Sequence, residues 1–183
     1  MRSHTLAFID LETTGFDPEQ NEIIEIGLVL VEQSLDSKEG IKLNVLEEFE
    51  TKVKPTHIET ADPVSLNISH YNPADWIFAA DIKDAMRVLA EKTVNATMVG
   101  HNVAFDSSFL EVNFSRTGIK NTMHYHRIDT ISIAFAKLYR NEDVEKLSLR
   151  SLCEYLNVKN AKAHSALSDA RATFEVFEKL MKL

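Results

Sequence analysis

Asp10 and Glu12 lie two residues apart in Phe8-Ile9-Asp10-Leu11-Glu12-Thr13-Thr14-Gly15, directly after the apolar run Leu6-Ala7-Phe8-Ile9. In a β-strand alternate side chains share a face, so this spacing aims both carboxylates at one point. Two half-buried like charges repel and are costly to desolvate. A divalent cation between them resolves both problems, and hard oxygen ligands suit magnesium or manganese. Two further acids stand at the edges of predicted elements: Asp106 in His101-Asn102-Val103-Ala104-Phe105-Asp106, and Asp169 in His164-Ser165-Ala166-Leu167-Ser168-Asp169. Singly, each has a plainer reading. Asp10 and Glu12 could be surface residues of an edge strand, Asp106 and Asp169 first-turn acids that complement a helix dipole, and His164 a surface loop residue.

The elements that must position these side chains are legible from periodicity. Residues 5–10, 23–31 and 43–53 read as strands, with a turn at Gly15-Phe16-Asp17-Pro18, and suggest an antiparallel meander. Residues 57–76 carry Pro63 and Pro73 and read as an irregular connection with one short helix. Beyond it the pattern alternates: helix 80–92, strand 97–100, a helix through Phe105, Phe109 and Val112 that stops at Gly118, and a short strand 126–129. Helices 130–139, 147–156 and 166–183 follow, the last with Ala170, Phe174, Phe177 and Met181 as its expected buried stripe. Strands first, then strands alternating with helices, predict an α/β domain with a mixed sheet and helices on both faces. A length of 183 residues fits one domain over 1–183.

The three acidic segments, in this order and spacing, resemble the three motifs of the DEDD superfamily of 3′-to-5′ exonucleases. A histidine five positions before the last aspartate resembles the DEDDh branch, which includes the proofreading subunit of bacterial replicative polymerases, ribonuclease T and oligoribonuclease. Asp129-Thr130 and Leu147-Ser148-Leu149-Arg150-Ser151-Leu152 also resemble recurrent segments of that family. The resemblance implies an RNase H-like fold, with a five-stranded sheet of three antiparallel strands followed by parallel ones. It implies two divalent cations, Mg2+ or Mn2+, about 3.5–4 Å apart, with Asp10 bridging them, Glu12 and Asp169 on the water-activating side, and Asp106 beside the leaving 3′ oxygen. His164 would be the general base. Five residues of helix turn through about 500°, so His164 must precede the last helix, with Ser165 as its cap. Leu11, Thr13, Thr14, His101, Asn102 and Phe105 match positions that cradle the terminal nucleotide. The implied partner is the 3′ end of a single-stranded nucleic acid, DNA or RNA. A DNA polymerase partner and a homodimer both stay open.

Two rival functions are a non-catalytic RNase H-like nucleic-acid-binding scaffold and a phosphoesterase acting on small nucleotides. Net charge of −8 argues against a protein that coats duplex nucleic acid through a broad basic face. No membrane span and no N-terminal leader are expected, and one cysteine, Cys153, fits a reducing cytoplasm. Cys153 falls in an apolar helical pattern and reads as a buried thiol. His124 and His126 have zinc-like spacing but no third ligand nearby. No nucleophile elbow accompanies Ser165, and the five glycines form no G-x-G-x-x-G or P-loop. Trp76 and Phe78 read as core contacts of the 57–78 connection, Tyr71 as core or base-stacking. Lys137, Arg140, Lys146 and Arg150 read as a solvated basic face, with contact to the departing strand as the alternative.

Overall fold

The computed structural model describes residues 4–36, 40–160 and 164–183. Residues 1–3, on which the expectation of a leaderless N-terminus partly rests, lie outside them. Five strands form one sheet in the order β3-β2-β1-β4-β5, with β1 Leu6–Thr13, β2 Ile23–Asp36, β3 Gly40–Lys52, β4 Thr97–Gly100 and β5 Arg127–Asp129. β1, β2 and β3 pair antiparallel, while β4 runs parallel to both β1 and β5. This is the mixed sheet the sequence predicts. Among the described residues six helices accompany it: α1 Pro63–Ile68, α2 Ile82–Lys92, α3 Val103–Thr117, α4 Thr130–Leu138, α5 Leu149–Leu156 and α6 Ala166–Lys182.

Strand alternation divides β1 between two cores. Ala7, Ile9 and Leu11 pack with Ala85, Met86 and Leu89 of α2 and Phe109, Leu110 and Phe114 of α3. Leu6 and Phe8 point the other way, toward Ala170 and Phe177 of α6. Asp10 and Glu12 continue that second set by period two, so they emerge on the α6 face. A third cluster joins α4, α5 and α6 through Ala134, Leu138, Leu152, Ala172, Val176 and Leu180. Cys153 belongs to it, and burial first, then the charges of Asp169, Glu175 and Glu154, push its thiol up to about 11.

Several expectations need correction. β1 runs on to Thr13, so Glu12 is a strand residue paired with Glu25. β2 and β3 extend past the predicted bounds because they pair with each other from Glu25↔Lys52 to Asp36↔Gly40. β3 is an edge strand with most side chains exposed, which hides its period from the sequence. Met181 is exposed. The buried face of α6 runs instead through Ala166, Asp169, Ala170, Ala172, Thr173, Val176, Phe177 and Leu180.

The connection after β3 contains α1 and two short 3-10 turns, Ile58–Thr60 and Pro73–Trp76. Trp76 is core, as expected: its indole N–H donates to the Ile24 carbonyl at 2.9 Å. Phe78 is not, at 99% exposed. The chain turns back immediately after it so that Ala80 can donate to the Lys52 carbonyl at 2.9 Å, which leaves Ile77 and Phe78 as the outer tip of the loop.

Candidate active site

The C-terminal ends of β1 and β4 and the first turns of α3 and α6 meet at one place. Asp10 and Glu12 arrive from β1. Asp106 arrives from α3, whose first turn follows β4 after the linker His101-Asn102; Asn102 takes a left-handed conformation at φ 68° to turn the chain. The Leu11 backbone N–H donates to Asp106 Oδ1 at 3.0 Å, so this carboxylate is fastened between the two strand-one acids. Asp129 secures the same corner. It caps α4 through Ile131 N–H at 2.8 Å and accepts from Val103 N–H at 3.1 Å, holding the starts of α3 and α4 together.

Asp169 arrives from α6. The backbone of α6 can come this close because Gly27, opposite Asp10 in register, has no side chain. A Cβ there would lie 2.2 Å from the carbonyl carbon of Ala166. His164 precedes the helix in a left-handed turn at φ 67°, as its spacing from Asp169 requires. Its backbone N–H donates to Asp169 Oδ2 at 3.0 Å, while the Asn160 amide donates to Oδ1. Ligating atoms of Glu12, His164 and Asp169 lie within 4.8 Å of one another.

The charges are unbalanced. Desolvation, then Asp106, Asp169, Glu12 and Glu25 in that order, raise the Asp10 carboxyl well above the usual carboxylate range. Desolvation followed by Asp169, Glu25 and Asp106 pushes Glu12 up to about 8. Burial also lifts Asp106 to about 7 against the lowering effect of the Leu11 N–H, with Asp129 adding to the rise. A cluster of hard oxygens that cannot all ionise by themselves is the donor set that fits divalent cations of the magnesium class. Among the described residues His124 and His126 are not grouped with a third metal-ligating side chain. Their rings stack at 4.9 Å and the His126 N–H donates to His124 Nδ1.

The expected nucleotide-cradling residues separate into two groups. Asn102 is exposed and Phe105 half-buried at the start of α3, the helix that carries Asp106. His101 is half-buried and its Nδ1 meets Thr130 Oγ1 at 2.9 Å; burial lowers its pKa, opposed by the Leu147 backbone and by Asp129 and Asp169. Leu11 contributes its backbone to Asp106 and its side chain to the core. Thr13 donates its hydroxyl to the Gly15 carbonyl at 2.7 Å. Thr14 is fully buried and its hydroxyl accepts the Glu22 N–H, so it fastens the turn after β1.

Four further residues at or beside this cluster carry no expectation from the sequence. Phe16 is largely exposed and stands edge-on to Phe105, ring centres 6.3 Å apart. Asn160 orients Asp169. Gly27 admits α6, and Glu25 accepts the first N–H of that helix from Ala166 at 2.9 Å. For Glu25 the signal was present: a lone acid in the apolar run Ile23-Ile24-Glu25-Ile26, the same pattern that marks Asp10. Burial raises its pKa most, partly offset by the Ala166 N–H and by Lys52, with Glu50 adding to the rise.

The family model described as Exonuclease (RNase_T) matches residues 7–177. The chain belongs to that family. It is a DEDDh-type exonuclease domain with an RNase H-like fold. The DNA polymerase III PolC-type of Caldanaerobacter subterraneus subsp. tengcongensis is 30% identical over 178 residues, covering 94% of this chain and 11% of that polymerase. The PolC-type polymerase of Thermotoga petrophila is 29% identical over 183 residues, covering 98% of this chain and 12% of its own length. Among solved structures, E. coli exonuclease I in complex with a dT13 oligonucleotide superposes with a TM-score of 0.75 at 20% identity, covering 98% of this chain and 41% of that one. An exonuclease I from Methylocaldum szegediense gives 0.76 at 20% identity, over 98% of this chain and 40% of the other. This chain therefore spans about a ninth of the polymerases and about two fifths of the exonuclease I chains it resembles. Among the described residues no helix is long and apolar enough to cross a membrane.

Proposed function

We propose that the chain removes 5′-mononucleotides one at a time from the 3′ end of single-stranded nucleic acid, using two divalent cations, Mg2+ or Mn2+, held by Asp10, Glu12, Asp106 and Asp169. The observation that carries this reading is the meeting of Glu12, His164 and Asp169 within 4.8 Å, beside Asp10 and Asp106. Bound there, the cations would supply an activated water and charge stabilisation at the phosphate and the leaving oxygen.

The chain's own residues do the rest. His164 accepts the proton of the attacking water; the water oxygen bonds to phosphorus, the bond to the preceding 3′ oxygen breaks, and the terminal nucleotide leaves with a 5′-phosphate. The hydrogen bond from His164 N–H to Asp169 keeps base and ligand in fixed relation. Asn102, Phe105 and Phe16 at the rim offer a backbone turn and two aromatic faces to the terminal sugar and base. Single-stranded DNA is the first substrate to try, since exonuclease I has been captured with dT13 and dA16 oligonucleotides.

The test is digestion of matched DNA and RNA oligonucleotides, labelled at either end, with Mg2+, Mn2+ or chelator. A descending ladder from the 5′ label, immediate mononucleotide from the 3′ label, and silence in chelator are expected. Asp10→Ala, Glu12→Ala, Asp106→Ala and Asp169→Ala should each abolish turnover. Wild-type rates in any two of these variants, or the opposite polarity, would overturn the reading.

A further inference from the structure

Glu25 is buried, 5% exposed, and directly opposite Glu12 in the β1–β2 register, yet its carboxylate is committed elsewhere. Oε1 accepts the Ala166 N–H at 2.9 Å and lies 3.4 Å from the Ser165 hydroxyl. The sequence suggests that Ser165 caps α6. Ser165 occupies the N-cap position, but its side chain makes no cap hydrogen bond and turns instead toward Glu25 and Glu50. The cap of this helix is therefore supplied from another element, strand β2. Two residues on, Gly27 opens the space that the Ala166–Leu167 backbone fills.

The remainder of the link is short. Ser165 carbonyl accepts the Asp169 N–H at 3.0 Å, and Asp169 in turn accepts the His164 N–H. A single side chain thus connects the strand facing Glu12 to the first turn that carries Asp169 and the residue just before it, His164. We infer that Glu25 is a positioning residue: its acceptor oxygen fixes how α6 approaches β1 and so sets the separation of His164 and Asp169 from Glu12. Its role rests on the proposed catalytic role of those three residues. It requires an acceptor at one place and not a negative charge, because Oε1 is spent on the helix.

Three variants separate this from a fifth cation ligand and from a plain stabilising contact. Glu25→Gln keeps an acceptor oxygen at the same reach. Glu25→Asp keeps the charge but withdraws it by one methylene. Glu25→Ala removes both. For oligonucleotide digestion well below the melting temperature, Glu25→Ala and Glu25→Asp should lose about tenfold in kcat, the scale of one hydrogen bond to a charged group. KM should stay unchanged and the half-saturating Mn2+ concentration should rise. Glu25→Gln should stay within about threefold of wild type on the same scale. A readout independent of activity is Ala166 amide exchange by NMR on the full chain, faster in the Ala and Asp variants, unchanged in Gln, with β1 amides unaffected. An inactive wild-type protein would count against the proposed function while leaving the exchange experiment to judge the positioning role. Wild-type kcat in Glu25→Asp, equal loss in Glu25→Gln and Glu25→Ala, or unaltered Ala166 exchange in both Ala and Asp variants would each overturn it.

Discussion

The two helices that bring acids to the cleft are fastened by different means. α3 is tied at Asp106, which accepts the β1 backbone N–H of Leu11, and at its start, where the Asp129 side chain accepts Val103 N–H. α6 is tied by the Glu25 side chain that caps it, by the Asn160 amide and the His164 backbone N–H on Asp169, and by Gly27, which makes room. The donor to Asp106 is a β1 backbone N–H that no substitution removes without breaking the strand, whereas Glu25, Asn160 and Gly27 can each be exchanged one residue at a time. In the proposed mechanism the proton acceptor, His164, belongs to the α6 side and the cation ligand Asp106 to the α3 side.

The largest effect expected from breaking this asymmetry is at His164. His164→Ala should lower kcat by about 10²–10⁴-fold, the range of base catalysis, with little change in melting temperature. The pH–rate profile should lose its acid limb, and a preserved acid limb would remove His164 from the base role.

Gly27→Ala strikes the seat of α6 alone. The new Cβ would sit 2.2 Å from Ala166 backbone, so the helix must shift. A stability loss of about 1–3 kcal/mol is expected, as for overpacking elsewhere, together with a fall in kcat. Thermal melts and digestion rates on one sample test whether the two travel together; unaltered activity would show that α6 tolerates displacement.

A further effect is electrostatic and belongs to the cation-free protein. Glu12 is raised from 4.5 to about 8 and Asp106 from 3.8 to about 7. Both acids therefore hold protons in the folded state that the unfolded chain has already released. Their stabilising contribution is complete below about pH 4 and is lost as pH rises through about 8. In chelator the melting temperature should fall from pH 5 to pH 8, Glu12→Gln should flatten the fall, and Mn2+ should reverse it. A melting temperature that rises over this interval in chelator would contradict the crowding of carboxylates.

Much of this arrangement is written in short-range pattern. Period-two alternation in β1 places Asp10 and Glu12 together, Gly118 ends α3 in a left-handed cap at φ 69°, and the five-residue offset puts His164 ahead of its helix. What the sequence withholds is pairing between distant segments. Nothing near Trp76 distinguishes it from Phe78; the indole is inside because Ile24, 52 residues earlier, offers a carbonyl. Ser165 looks like a cap until Glu25, 140 residues earlier, takes the role. Thr14 looks accessible until the turn closes over it. Glu25 itself fits the lone-acid-in-a-strand pattern, and reading that pattern at every strand would have found it.

Trp76 is the only tryptophan in the chain. Its ring nitrogen touches the carbonyl immediately before Glu25, and the Lys52 ammonium lies over its face at 4.0 Å. The indole is thus seated on the strand that seats α6, with a charge beside it that quenches or shifts emission when it moves. Fluorescence from the unlabelled protein reports on that strand directly, and a spectral change on adding Mn2+ or an oligonucleotide would time events in the cleft without any attached dye.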